Sequence, residues 1–365
     1  MFRISKHKHI FHLMVLLTIS TTVAYRDSIC EVPSLGIFCS CDTKYSTGET
    51  SIVCYITDPP TVQNEMWQSL AKVEKMFNLK LNSFSPEKKL DYVPTDSLQR
   101  MESLRYFTIE QASLGYINSS TFSNMRELRE LQLEDNGITQ LGEGAFSNLP
   151  MLKKLALSSN LLQELLVDSF KGVDELEHLY LDRNNISRIG MRFLHTPKPV
   201  RPRFYWQQTY RPSPSTCFAK LRKPEEAALQ ESDNASSTTG FQYRYIFTMK
   251  FFLFNLPKLV ELDLTDNRIS HVAPRAFKGL TNLQKILLTS NQIKTLPDTV
   301  FKSLPTLRNV DLFNNELETL QEEVLQNMDN AKDEHFSLSL KGTTIFHCIF
   351  FLIHHIPSQS KLSSP

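Results

Sequence analysis

A histidine lies between two acids at Glu177, His178 and Asp182, the residue types used for general acid–base chemistry. Paired carboxylates at such short spacing also suit hydrolysis of a glycosidic bond. No serine or cysteine stands at a matching position to complete a nucleophilic arrangement, and the sequence contains no Gly-x-Ser-x-Gly, His-Glu-x-x-His or phosphate-binding loop. We therefore predict that the protein is not an enzyme.

Four cysteines cluster near the start of the chain, at Cys30, Cys39, Cys41 and Cys54. They could form disulfides or bind a metal, but they lack the Cys-x-x-Cys spacing that is common in zinc sites. In a secreted protein such a cluster favours disulfides, and four cysteines allow three pairings. No cofactor or metal site is expected.

The elements that position these residues follow from a spacing that starts afresh every 24 residues: Leu-x-x-Leu-x-Leu-x-x-Asn-x-(Ile/Leu)-x-x-Leu-x-x-x-x-Phe-x-x-Leu. The alternating leucines place apolar side chains on one face of a short strand. The later leucine and phenylalanine fill the far side of the same turn. One copy cannot bury its apolar face alone, so the copies must stack into a solenoid.

The asparagine of each copy stands where the chain turns away from the strand. Its amide can both donate and accept hydrogen bonds, so a stacked column of asparagines can satisfy backbone groups that the turn exposes. Ala112 replaces the asparagine in the first regular copy, which predicts that the ladder begins one copy later. The predicted ladder consists of Asn136, Asn160, Asn184, Asn267, Asn291 and Asn315.

This pattern resembles the extracellular leucine-rich repeat family of the 24-residue type, from about Cys30 to Met328. The resemblance implies an α/β solenoid: a right-handed horseshoe of about eight repeats, with a parallel sheet on its concave face. It also implies a disulfide-bonded N-terminal cap with the pairs Cys30–Cys41 and Cys39–Cys54.

Residues 1–24 have basic residues before a short apolar run and small residues at a plausible cleavage point, which is the pattern of a secretory signal peptide. An uncleaved membrane anchor is the alternative, although the run is short for a membrane span. Three sequons predict N-glycans, at Asn118, Asn185 and Asn234. We expect a secreted or extracellular protein.

The expected organisation is a cap over residues 25–75, repeats over 76–194 and 254–330, and two segments outside the pattern. Removing residues 195–253, 59 in all, restores the repeat without a gap. This segment is rich in proline and carries the lone Cys217; it is either a genuine functional loop or a translated intron. Residues 331–365 leave the leucine spacing and are predicted to be unstructured or an incomplete gene model.

Solenoids bind partners through an extended surface, so we expect a protein ligand on the concave face. Charges of both signs occur there, so a polyanion such as heparin is not an obvious ligand, and a secreted compartment argues against a nucleic acid. The candidate contact residues are Tyr106, Tyr180, Leu287 and Phe313, since aromatic and apolar side chains anchor protein contacts. The alternatives are a truncated ectodomain of a membrane receptor or adhesion protein, and an enzyme inhibitor acting through residues 195–253.

Overall fold

The protein is described from a computed structural model, covering residues 36–85, 87–165, 169–189, 256–321, 323–324 and 336–343. Several sequence-based predictions lie outside this part of the chain. They are the signal peptide over residues 1–24, Cys30, Asn234, the segment 195–253 and most of the tail over 331–365.

One sheet of eleven strands runs along the described solenoid. A hairpin at its N-terminal end pairs β1 (Ile37–Thr43) and β2 (Thr50–Ile56) antiparallel, and every later strand runs parallel to β2. The successive strands are β3 (Met76–Ser83), β4 (Tyr106–Glu110), β6 (Glu130–Gln132), β8 (Lys154–Ala156), β9 (His178–Tyr180), β11 (Glu261–Asp263), β13 (Lys285–Leu287), β14 (Asn309–Asp311) and β15 (Ser337–Ser339). This is the predicted leucine-rich repeat solenoid of about eight turns, with the parallel sheet on its concave face.

Short elements make up the rest of each turn. Two small parallel sheets lie outside the main one, pairing β5 (Tyr116–Ile117) with β7 (Gln140–Leu141) and β10 (Arg188–Ile189) with β12 (His271–Val272). The described helices are short, α1 (Glu65–Ala71) and α2 (Thr95–Leu98), and both lie near the N-terminus. Asn64 caps α1 by accepting a hydrogen bond from the Met66 N–H at 2.9 Å.

The core is one continuous apolar column in which the repeat leucines are buried. The phenylalanines of successive turns stack on one another, with ring centroids 5.8 Å apart for Phe122–Phe146 and 6.3 Å apart for Phe146–Phe170. Each turn therefore completes the core of its neighbour, as the 24-residue pattern predicts.

The main sheet continues directly across the interruption of the repeat. Strand β9 pairs with β11, with His178 opposite Glu261. These two residues are 83 apart, which is one 24-residue repeat plus the 59 residues of the segment 195–253. The turns on either side of that segment therefore stack as consecutive coils.

The prediction that residues 331–365 are unstructured is wrong for residues 336–343. Strand β15 pairs in parallel with β14, and Leu338 and Leu340 are buried in the core. Its register pairs Asn309 with Ser337, a spacing of 28 residues instead of 24. The longer turn shifts the leucines out of the expected positions, so the fixed spacing does not reveal this coil.

Candidate functional site

The surface of interest is the concave face, formed by the strand residues that alternate with the buried leucines. The strands are in register, so equivalent residues of successive turns form straight rows along the solenoid. One row contains Tyr106, Glu130, Lys154, His178, Glu261, Lys285, Asn309 and Ser337. The next contains Thr108, Gln132, Ala156, Tyr180, Asp263, Leu287, Asp311 and Ser339.

The asparagine ladder gives this face a rigid support. All six predicted ladder asparagines are buried. The Asn160 Nδ2 donates to the Leu133 carbonyl at 2.8 Å and to the Leu157 carbonyl at 3.0 Å. Its Oδ1 accepts from the backbone N–H groups of Asn136 at 3.1 Å and Ile138 at 2.9 Å. Each asparagine thus connects its own turn to the preceding one.

The ladder begins and continues as the sequence predicts. At its start, the Asn136 Oδ1 accepts a hydrogen bond from the Ala112 N–H at 2.9 Å, so Ala112 belongs to the column but adds no amide. Across the interruption, the Asn267 Nδ2 donates to the Leu181 carbonyl at 3.0 Å. The ladder is therefore continuous at the β9–β11 junction.

A polar cluster lies at this junction, in the middle of the concave face. Glu261 is its centre: one carboxylate oxygen accepts from Lys285 Nζ at 2.7 Å. The other lies 3.3 Å from both the Tyr180 hydroxyl and the His178 Nδ1. The rings of His178 and Tyr180 stack with centroids 6.3 Å apart, and Lys154 Nζ lies 5.6 Å from the centre of the Tyr180 ring.

Burial and charge set the protonation of this cluster. Burial alone would raise the pKa of Glu261, but the hydrogen bond and positive charge of Lys285, aided by His178 and Tyr180, outweigh it and lower the pKa below its ordinary value. Burial, followed by the negative charge of Glu261, raises the pKa of Tyr180 to about 12. At neutral pH the cluster therefore holds an ionised Glu261 and a neutral Tyr180 that donates to it.

The histidine and acids that could have done chemistry are arranged differently from an acid–base site. His178 contacts Glu261, and Ser158 donates its hydroxyl to Asp182. Asp182 also accepts from Arg183 Nε at 3.0 Å, and Glu177 pairs with Lys153 at 2.7 Å. Each acid in this group therefore has a partner within the surface. No group of histidine, cysteine and acidic residues among the described residues is suited to hold a metal ion.

The four candidate contact residues all lie on the concave face. Tyr106 packs edge-to-face against Phe77, with ring centroids 6.2 Å apart. Tyr180 belongs to the central cluster, Leu287 is half-buried on β13, and Phe313 is exposed after β14. Leu287 and Tyr180 share one row, whereas Tyr106 and Phe313 lie towards opposite ends, so the four do not form one patch.

The cap contains the predicted Cys39–Cys54 disulfide, which joins the two strands of the hairpin. Cys41 is also disulfide-bonded, and the implied pairing with Cys30 lies outside the described residues. Asn118 is exposed after β5, and Asn185 is half-buried beside the ladder. Neither sequon lies on a strand of the concave sheet.

Two features of the concave face could not be found from the repeat alone. The Glu261 cluster joins residues 83 apart; the repeat predicts that their strands are neighbours, but not that their side chains bond to one another. An exposed group of aromatic residues lies at the N-terminal end, where Phe84 occupies the place of a buried ladder asparagine yet points outwards. The alternation of buried and exposed residues in β2 and β3 is the signal that would reveal it.

Part of the repeat region matches a known protein family. The family model described as "Leucine rich repeat" matches residues 126–186, 249–293 and 281–332. A comparison with curated proteins gives no significant match. Among the described residues, no helix has the length and apolar character needed to cross a membrane.

One solved structure shares the fold, and a second is more distantly similar. The crystal structure of a TLR13–ssRNA13 complex is 23% identical with a TM-score of 0.51, over 76% of this chain and 30% of that one. The structure of the Drosophila Toll–Spatzle complex is 15% identical with a TM-score of 0.47, over 79% of this chain and 33% of that one, a likeness too remote to carry an argument. The chain thus spans about a third of the length of these structures. The described residues thus form a leucine-rich repeat solenoid with an asparagine ladder, and residues 126–186 and 249–332 match the family model.

Proposed function

We propose that the protein is a secreted, non-catalytic binding protein that holds a protein partner on its concave face. The signal-peptide pattern over residues 1–24, the Cys39–Cys54 disulfide and the sequons at Asn118 and Asn185 support secretion. Disulfides persist in oxidising compartments, which is where such a cap is stable.

The central observation is that the concave face is preorganised. Its residues stand on a hydrogen-bonded sheet, and the Glu261 cluster fixes four side chains before any ligand arrives. A surface that is already ordered loses little conformational entropy on binding, so more of the contact energy is available as affinity. A rigid, extended and mostly polar face favours a macromolecular ligand over a small molecule.

The arrangement of the polar residues favours binding over turnover. A catalytic base must lie within hydrogen-bonding reach of the proton that it removes. Here Ser158 donates to Asp182, and His178 faces Glu261. The polar residues thus stabilise one another and form a fixed pattern of charges for recognition.

A protein partner fits this face better than a nucleic acid. Nucleic-acid surfaces carry an excess of positive charge that neutralises phosphates. The row of concave residues that contains His178 instead carries charges of alternating sign: Glu130 and Lys154 precede His178, and Glu261 and Lys285 follow it. TLR13, which shares the fold, is in complex with ssRNA13 in its solved structure, so single-stranded RNA is the appropriate counter-probe.

Binding of the full chain to an array of individually expressed extracellular protein domains tests the proposal. The concave variant carries Tyr180→Arg and Leu287→Arg. The matched control is Gln140→Arg, an exposed polar residue on the outer strand β7. We expect at least one bound domain, with affinity about tenfold weaker for the concave variant and unchanged for the control. Equal binding by the concave variant, or binding of a single-stranded RNA oligonucleotide in place of any protein domain, would refute the proposal.

A further inference from the structure

Three exposed aromatic residues, Phe38, Tyr55 and Phe84, form a patch at the N-terminal end of the main sheet, named here the aromatic patch. Their exposed fractions are 54%, 40% and 66%. Phe38 lies directly opposite Tyr55 in the hairpin, and the rings of Tyr55 and Phe84 meet edge-to-face with centroids 6.4 Å apart. The three side chains therefore form one continuous apolar surface.

The sheet register places this patch on the concave face. Tyr55 is opposite Asn82 of β3, and Asn82 is opposite Glu110 of β4. The residues next to them in sequence, including Ile56, Leu81 and Ile109, point into the core. Successive strand residues face opposite sides, so the aromatic patch and Glu110 share the solvent side.

These aromatic side chains do not pack in the core of the solenoid. The inward position beside Phe84 belongs to the buried Ser83, whose Oγ accepts a hydrogen bond from the Leu90 N–H at 2.9 Å. The Phe84 N–H donates to the Ile56 carbonyl at 2.7 Å, so backbone bonding holds the ring outside the core. Contiguous exposed apolar surface of this kind marks interaction sites.

Charge varies across the concave face from one end of the strands to the other. The charged residues immediately before the strands from β4 to β14 are mostly basic: Arg105, Arg129, Lys153 and Arg308, against Glu177. The first residues of these strands carry both signs, with Glu130 and Glu261 against Lys154 and Lys285. The charged residues at and after the strand ends are mainly acidic: Glu110, Glu134, Asp135, Asp182, Asp263, Asp266 and Asp311, against Arg183 and Lys341. The aromatic patch lies at this side, in the row that contains Glu110, whose carboxylate pairs with Lys80 Nζ at 2.7 Å. The next acids along this side of the face are Glu134 and Asp135.

We propose that the aromatic patch docks an apolar side chain of a protein segment whose flanking residues are lysine or arginine. The apolar side chain would contact Phe38, Tyr55 and Phe84, and the cations would lie along the acidic side of the face. Complementary charge orients such a segment and speeds its association, while the aromatic contacts anchor it. This inference rests on the proposed function, because it names the chemistry of the partner on the same face.

Selection of a random peptide library, displayed on phage, against the immobilised full chain tests the inference. The patch variant carries Tyr55→Ser and Phe84→Ser. The matched control is Tyr116→Ser, a 47% exposed tyrosine on the outer strand β5. We expect enriched peptides with an aromatic or aliphatic residue beside lysine or arginine. They should bind the patch variant at least about tenfold more weakly, bind the Tyr116→Ser control unchanged, and weaken as salt is raised.

The remaining outcomes separate this inference from the proposed function. If the patch variant unfolds at the same urea concentration as the wild type, its fold is intact. Peptides that bind the patch variant as well as the wild type, or that are acidic, overturn the inference. If those peptides lose affinity for the Tyr180→Arg, Leu287→Arg variant, the concave face still binds and only the aromatic patch is wrong. If no peptide is enriched, the patch is not a peptide-docking site and the inference fails, while the array of folded domains still tests the proposed function.

Discussion

Removal of one ladder asparagine should destabilise the solenoid more than removal of an exposed amide in the same turn. The Asn160 side chain is buried and accepts hydrogen bonds from the Asn136 and Ile138 N–H groups, at 3.1 and 2.9 Å. In Asn160→Ala both N–H groups lose their acceptor inside the core. A buried polar group without a partner costs about 1–3 kcal/mol, so the two together lower the free energy of unfolding by about 2–6 kcal/mol.

The magnitude is checked by urea unfolding, with the free energy extrapolated linearly to zero denaturant. Gln163→Ala is the control, because Gln163 is an exposed amide three residues further along the same turn. Its free energy of unfolding should stay within about 0.5 kcal/mol of the wild type. Hydrogen exchange of the Asn136 and Ile138 amides should accelerate in Asn160→Ala alone. Equal unfolding free energies for the two variants would refute the ladder as a source of stability.

Three further predictions follow from the junction, the central cluster and the cap. Deletion of residues 195–253 should leave the thermal unfolding midpoint unchanged, because β9 and β11 already pair as consecutive turns; a protein that no longer folds would contradict the register. Glu261→Gln should destabilise the protein at neutral pH. Since the folded-state pKa of Glu261 is lowered, its contribution is present above the unfolded-state pKa of about 4.5 and is lost as the pH falls through the lower folded-state value. The difference in urea unfolding free energy between Glu261→Gln and wild type should therefore shrink below about pH 4.5, and a difference independent of pH would exclude the ion pair as its cause. Replacing Cys39 and Cys54 together by serine removes a cross-link between residues 15 apart and should lower the free energy of unfolding by about 3 kcal/mol; an unchanged urea midpoint would contradict this.

The repeat could be predicted from the sequence because every turn buries the same residue types at the same positions. Leu131, Leu155 and Leu179 are buried at equivalent positions. Asn160 and Asn184 each donate an amide hydrogen to a carbonyl of the preceding turn. The register across residues 195–253 was also predictable, since a parallel sheet with buried leucines on one face tolerates no slip of a single residue.

Features that depart from the 24-residue period were not predictable from it. Strand β15 follows a turn of 28 residues, so counting by 24 places Ala331 and Glu334 where leucines are expected and does not find Leu338. Phe84 stands at a ladder position, but Ser83 takes the inward place. The length of the turn decides the register of β15, and local hydrogen bonding decides that Ser83 faces the core in place of Phe84.

The candidate site was predictable only as a face. The strand pattern identifies Tyr180 and Leu287 as solvent-facing residues of the concave sheet. It does not show that Tyr180 donates to Glu261, because that contact depends on two turns separated by 81 residues of sequence. The partnering of charges across neighbouring strands is a tertiary property that no single repeat contains.

An experimental structure of the full chain, by crystallography or cryo-electron microscopy, tests the continuous concave face most directly. We expect a single parallel sheet in which His178 lies opposite Glu261 and Tyr180 opposite Asp263, with the aromatic patch on the same face. A map in which β9 pairs with any strand other than β8 and β11, or in which the two blocks of repeats form separate sheets, would contradict it.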